Sequence, residues 1–145
     1  MNRIFSFPSN ARPYIADAAV LQCFDHRMAN AISELLRTQG IEQPDTITVA
    51  GGAKALASPG NAAEREFVLE QVRLSIRLHQ SKRVLLVAHA DCGAYGGLAR
   101  FSGDRAAERA FHESELEQAA ELVIADFPDV SVNAFFIDFD GVWRL

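Results

Sequence analysis

Short apolar runs and longer amphipathic stretches alternate along this chain. Residues 17–24, DAAVLQCF, form an apolar run of strand length, as expected where both faces of a strand are buried. In RMANAISELLRTQGI, residues 27–41, Ala31, Ile32, Leu35 and Leu36 make one apolar stripe, and Gly40 stands where a helix can stop. DTITVAGG, residues 45–52, is β-branched and ends in glycines, which predicts a second strand. KALASPGN, residues 54–61, reads as a loop broken at Pro59–Gly60. A long amphipathic helix is predicted over residues 62–80, with Phe67, Val68, Val72 and Ile76 along one side.

KRVLLVAHA, residues 82–90, is apolar without alternation, the pattern of a central strand. Residues 104–127 predict another helix, broken near its start and ended by Pro128. VSVNAFFIDFDGVWRL then starts as a strand, and Asp140–Gly141 turns it into a short hairpin with the last residues. The order strand–helix, repeated three times and closed by a strand, predicts an α/β fold. The expected architecture is three-layered: a mostly parallel central sheet of about four strands, a short C-terminal edge strand, and helices on both faces. Neither a repeat nor a linker divides the 145 residues, so 1–145 is expected to be a single domain.

Charge and composition narrow the function classes. The net charge is −5, which argues against general attraction to nucleic acid or an anionic membrane. No apolar run reaches the roughly 20 residues of a membrane span. The first residues, MNRIFSFPSNARPY, carry prolines and polar groups where a secretory signal would carry its apolar core, so a cytoplasmic protein is expected. Two cysteines are too few for a disulfide scaffold.

Those two cysteines occupy informative places. Cys23 lies at the carboxyl end of the first predicted strand. His89 lies at the same end of the third, and Cys92 follows in a glycine-containing turn. In open α/β sheets, that edge is where ligands bind. Two thiolates and an imidazole make a zinc set with a fourth position to fill. CFDHR adds Asp25 and Arg27, whose side chains can form a bidentate pair. The held carboxylate can accept a hydrogen bond from metal-bound water, or occupy the fourth position and close the site. His26 is a weaker candidate for that position. Residue types alone leave the bland alternative open: buried cysteines acting as small hydrophobes, and a structural Asp25–Arg27 ion pair. Gly51 and Gly52 lack the spacing of a nucleotide loop and are read as permitting a close backbone approach. His79 and His112 fall in predicted helices and are read as surface or cap residues. Phe135, Phe136 and Trp143 are read as core or dimer contacts.

Taken together, Cys23-x-Asp25-x-Arg27 and His89-x-x-Cys92-Gly93 resemble the zinc signature of the beta-class carbonic anhydrases. RVLLVAHADCGAYGG, with Asp91 before the cysteine, is similar to the corresponding family segment. The resemblance covers residues 18 to 98 well and the C-terminal strand and hairpin faintly. It implies that Cys23, His89 and Cys92 bind zinc. It also implies that Asp25 either accepts a hydrogen bond from zinc-bound hydroxide or ligates the zinc in an inactive form, and that Arg27 draws it off the metal. The implied reaction is reversible hydration of carbon dioxide to bicarbonate, in a homodimer or higher homo-oligomer.

The chain departs from the family pattern in three places. TITVAGGAKAL has neither arginine nor asparagine after the second strand, PYIADAAV offers no substrate glutamine, and the N-terminal helices that wrap a partner subunit are replaced by MNRIFSFPSNARPY. Three further readings stay beside the hydratase. One is a closed structural zinc in a protein that binds an anion or partner. Another is hydrolysis of carbonyl sulfide or carbon disulfide. The third is a metal-free redox sensor using Cys23 and Cys92.

Overall fold

The computed structural model describes residues 1–9 and 12–145. Asn10 and Ala11, within the N-terminal stretch read above as unlike a secretory signal, lie outside the described residues. Five strands form one sheet: β1 (Ala18–Gln22), β2 (Pro44–Thr48), β3 (Arg83–His89), β4 (Ser131–Ile137) and β5 (Val142–Arg144). Their order is β2-β1-β3-β4-β5. The first three pairings are parallel and β5 runs antiparallel to β4. Four helices accompany them: α1 (Ala29–Thr38), α2 (Lys54–Ala57), α3 (Ala62–His79) and α4 (Arg105–Asp126).

Period-two alternation sorts the strand residues onto two faces. Ala19 and Leu21 of β1, Val84 and Leu86 of β3 and Phe136 of β4 pack with Leu56, Val68, Val72, Leu116 and Val123 from α2, α3 and α4. Ala18 and Val20, Leu85 and Val87, Phe135 and Ile137 face the other way, onto Met28 and onto Ile32 and Leu35 of α1. Because both faces are covered, β1 and β3 read as unbroken apolar runs. Residues Val84 to Leu86 have no exposed surface.

The helix ends follow local chemistry. Asn61 caps α3 by accepting the Glu64 amide at 3.0 Å, and the Glu64 carboxylate accepts the Gly60 amide in return. Gln80, with φ of 55°, ends α3 in the left-handed conformation. Asp104 accepts the amides of Ala106 and Ala107 at the start of α4.

Four details correct the sequence-based expectations. Residues 54–57 form the helical turn α2, because Ala55 and Leu56 are drawn into the core. The inward residues of α3 are Val68, Leu69 and Val72, whereas Phe67 is 60% exposed. Helix α4 is unbroken. A separate 3-10 turn over Leu98–Phe101 precedes it. His112 is completely buried instead of lying on the surface, set among the rings of Tyr95, Phe111 and Phe136. His79 does sit at a helix end, where its Nδ1 meets the Asp45 carboxylate at 2.8 Å. No helix among the described residues is long and apolar enough to cross a membrane.

Candidate metal centre

Strands β1 and β3 are neighbours in the sheet, and both end at one edge. Cys23 is the first residue after β1, and His89 is the last residue of β3. A tight turn follows, in which Asp91 takes φ of +52° and Cys92 caps a 3-10 turn over Gly93–Tyr95. Parallel pairing and one reversal therefore bring together three residues that span positions 23 to 92.

The two sulfurs lie 4.0 Å apart. The potential ligand atoms of Cys23, His89 and Cys92 all lie within 4.8 Å of one another, and all three residues are buried. Two zinc–sulfur bonds of roughly 2.3 Å in a tetrahedral arrangement would set the sulfurs about 3.8 Å apart, so the spacing suits one such ion. The histidine is preset. Its Nδ1 lies 2.8 Å from the Ala90 carbonyl, which can only accept, so the proton sits on Nδ1 and Nε2 is left as a bare lone pair. That buried Nε2 has no hydrogen-bond partner among the described residues. An orphaned imidazole nitrogen beside two thiols is the donor set of a zinc site, and the residues present fit the ion.

The thiols are electrostatically unequal. The hydrogen bond shared with Cys92, with the amides of Gly51 and Asp25, holds Cys23 below the usual thiol range, against its burial. The neighbouring Cys23 sulfur and burial push Cys92 upward. A bound cation favours the deprotonated form of both sulfurs.

The glycine turn after β2 has the role expected of it. The Gly51 amide donates to the Cys23 sulfur at 3.3 Å. Gly52, at φ of +56°, is pressed against β1 and β3: a Cβ there would come within 2.7 Å of the Val87 carbonyl oxygen and 3.0 Å of the Cys23 nitrogen.

Asp25 and Arg27 are joined as their spacing suggests. Asp25 accepts the Arg27 amide at 3.0 Å, and the guanidinium grips both carboxylate oxygens, with Nη2 donating at 2.6 Å. The Arg27 hydrogen bonds hold the Asp25 carboxyl down at about 2. Asp25 lies outside the three-residue ligand cluster, and so does the exposed His26. A further contact was not legible in the sequence. Arg27 Nη1 also donates to Asp91 Oδ2 at 2.8 Å, and Nη2 to the Asp91 carbonyl at 2.9 Å.

Beneath the cluster is a buried polar group that sequence reasoning missed. The Tyr95 hydroxyl donates to Glu115 at 2.9 Å, and the Ser58 hydroxyl donates to the same oxygen at 2.5 Å. Tyr95 packs with both cysteines. Its only signal in the sequence is a lone aromatic in a glycine-rich turn. A cavity of about 590 Å³ is walled by Ala90 and Asp91 of the turn between His89 and Cys92, with Glu108, Phe136 and Trp143.

Three kinds of known protein resemble the chain. A family model described as "Putative carbonic anhydrase" matches residues 16–144. An uncharacterized protein of Rickettsia conorii is 25% identical over 130 residues, which is 88% of this chain and 70% of that protein. The beta-carbonic anhydrase isoform I of Trichomonas vaginalis superposes with a TM-score of 0.61 at 13% identity, covering 96% of this chain and 87% of that one. The carbonic anhydrase of Streptococcus mutans gives a TM-score of 0.61 at 16% identity, covering 94% and 87%. At those identities, the solved structures bear on the fold.

Proposed function

This chain belongs to the putative carbonic anhydrase family, and from that premise we propose that it catalyses the zinc-dependent, reversible hydration of carbon dioxide to bicarbonate. The observation that carries this reading is the buried trio of Cys23, His89 and Cys92, with the bare Nε2 of His89 beside two sulfurs. Zinc bound there would act as a Lewis acid that makes water a nucleophile near neutral pH.

The protein's own residues supply the rest. Cys23 and Cys92 give two thiolates, which offset the charge of the ion. The Ala90 carbonyl fixes the His89 ring so that Nε2 alone is offered. Asp25 acts as the hydrogen-bond acceptor that orients the attacking water, and Arg27 keeps its carboxylate ionised and directed. Arg27 holding Asp25 also favours an open fourth position over a closed structural zinc. The substrate is a small molecule. Assembly as a homodimer agrees with the apolar N-terminal segment, where Ile4, Phe5 and Phe7 are each more than 70% exposed and would find cover on a second copy. A cytoplasmic location accords with two reduced thiols in the site.

The test is stopped-flow hydration of carbon dioxide by zinc-loaded protein, with zinc stoichiometry measured on the same sample. A rate above buffer is expected, lost on chelation and on Asp25→Asn replacement. Stoichiometric zinc with no rate above buffer, at neutral and alkaline pH alike, would overturn the hydratase.

A further inference from the structure

We propose that Asp91 is a positioning residue that locks Arg27 in place and thereby keeps Asp25 off the metal, an inference that rests on the metal-site reading above. The guanidinium of Arg27 has five N–H donors. Its Nε and one Nη2 donor serve Asp25, while Nη1 and Nη2 also serve Asp91. Arg27 is therefore a bridge between two carboxylates and has one fixed end and one working end.

Asp91 is the fixed end. Its Oδ1 accepts the Leu98 amide at 3.0 Å, and its own amide donates to Glu108 Oε1 at 2.8 Å. Glu108 belongs to α4 and is 2% exposed. The backbone of Asp91 is held in the left-handed region, at φ of +52°, a conformation that non-glycine residues keep only when surrounding contacts enforce it. Gly97 leaves room for the carboxylate, since a Cβ there would stand 2.8 Å from Asp91 Oδ1. Two hydrogen bonds independent of Arg27 thus pin this one residue. Asp25, by contrast, has only Arg27 as a side-chain partner among the described residues.

Asp91 also sits between His89 and Cys92. The turn that supplies two ligands therefore supplies the anchor that restrains the carboxylate of the first motif. If the Asp91 carboxylate is removed, Arg27 loses its Nη1 ion pair and keeps on that side only the Asp91 carbonyl, a single hydrogen bond about which it and Asp25 can swing together. The carboxylate is then free to take the fourth position on the ion. Asp91 lies outside the three-residue ligand cluster, and acts through Arg27.

The experiment uses full-length protein loaded with cobalt(II), whose thiolate charge-transfer bands report on Cys23 and Cys92. Azide titration reports whether the fourth position can be taken by an outside ligand. Asp91→Ala is expected to keep the charge-transfer bands and to bind azide at least about tenfold more weakly, the scale on which outer-sphere partners of metal sites act. Asp91→Ala combined with Asp25→Asn is expected to recover azide binding, because the amide is a poor ligand. Unchanged azide affinity in Asp91→Ala would overturn the proposal. Weakened binding that the double variant does not recover would also overturn it, by pointing to a collapsed turn. Loss of carbon dioxide hydration in wild-type protein that still binds cobalt and azide would refute the hydratase alone. Failure of the wild-type protein to show charge-transfer bands would refute both.

Discussion

The amide of Gly51 donates to the sulfur of Cys23 at 3.3 Å, so a turn belonging to β2 sets the direction of a ligand that belongs to β1. That contact depends on the next residue, Gly52, lying flat against both central strands.

Gly52→Ala should therefore damage both fold and site. Its φ of +56° already disfavours a side chain, and the Cβ would meet two backbone segments that cannot step aside. A loss of about 2 kcal/mol or more is expected from strain and overlap together, with weaker zinc binding. Gly40→Ala is the comparison: φ is +65°, but nothing lies within 4 Å of the added carbon, so only the strain of about 1 kcal/mol should appear. Urea unfolding and zinc competition measure the two effects.

His89→Ala removes the sole nitrogen donor of the trio and leaves a pair of sulfurs. Its loss should lower zinc affinity by more than the roughly 10–100-fold typical of outer-sphere partners. The change is read by competition against a chromophoric chelator. Circular dichroism should stay close to that of wild type, since the strand keeps its backbone pairing.

His112 should make stability fall in mild acid. Burial, with the charge of Arg100 nearby, depresses its pKa from 6.5 to about 4. Between those values the unfolded chain binds a proton that the folded chain refuses. The stabilisation is thus complete above 6.5 and is lost as the pH falls towards 4, with a slope of up to about 1.4 kcal/mol per pH unit. Unfolding free energies measured across that window should show the slope in wild type and lose it in His112→Phe. A slope that persists in the variant would assign the effect to other groups.

Tyr95→Phe keeps the ring against the cysteines but removes one of the two hydroxyls on Glu115. A cost of about 1–2 kcal/mol is expected, because a buried carboxyl loses one of its two hydroxyl partners. Thermal unfolding checks it. Zinc stoichiometry should be unchanged, since the tyrosine hydroxyl is bonded to Glu115 and not to the ligands.

Much of the architecture was legible because it rests on local pattern. Val84 to Val87 is apolar at every position, which only a strand covered on both sides explains, and HAD and CFD mark the two ends that meet. Spacing also sufficed for Asp25 and Arg27, since a single residue separates them on one short turn. What escaped notice depended on tertiary context. Nothing near Phe67 says that it would face solvent while Leu69 turned inward. The short turn at 54–57 is helical because Leu56 is buried, a fact set by α3 and α4. His112 carries no local sign of its aromatic enclosure, and the Arg27–Asp91 bond joins positions 64 residues apart.

The adjacency of β1 and β3 has a consequence for how the chain matures. Nearly two thirds of the polypeptide, up to Cys92 of 145 residues, must emerge before Cys23 acquires both companions, and the intervening strand β2 is laid down on the outer flank of β1. Metal capture is thus tied to completion of a distant strand pairing. An ion that prefers the finished pocket lends its binding energy to the whole sheet, so zinc supply and conformational survival would rise and fall together.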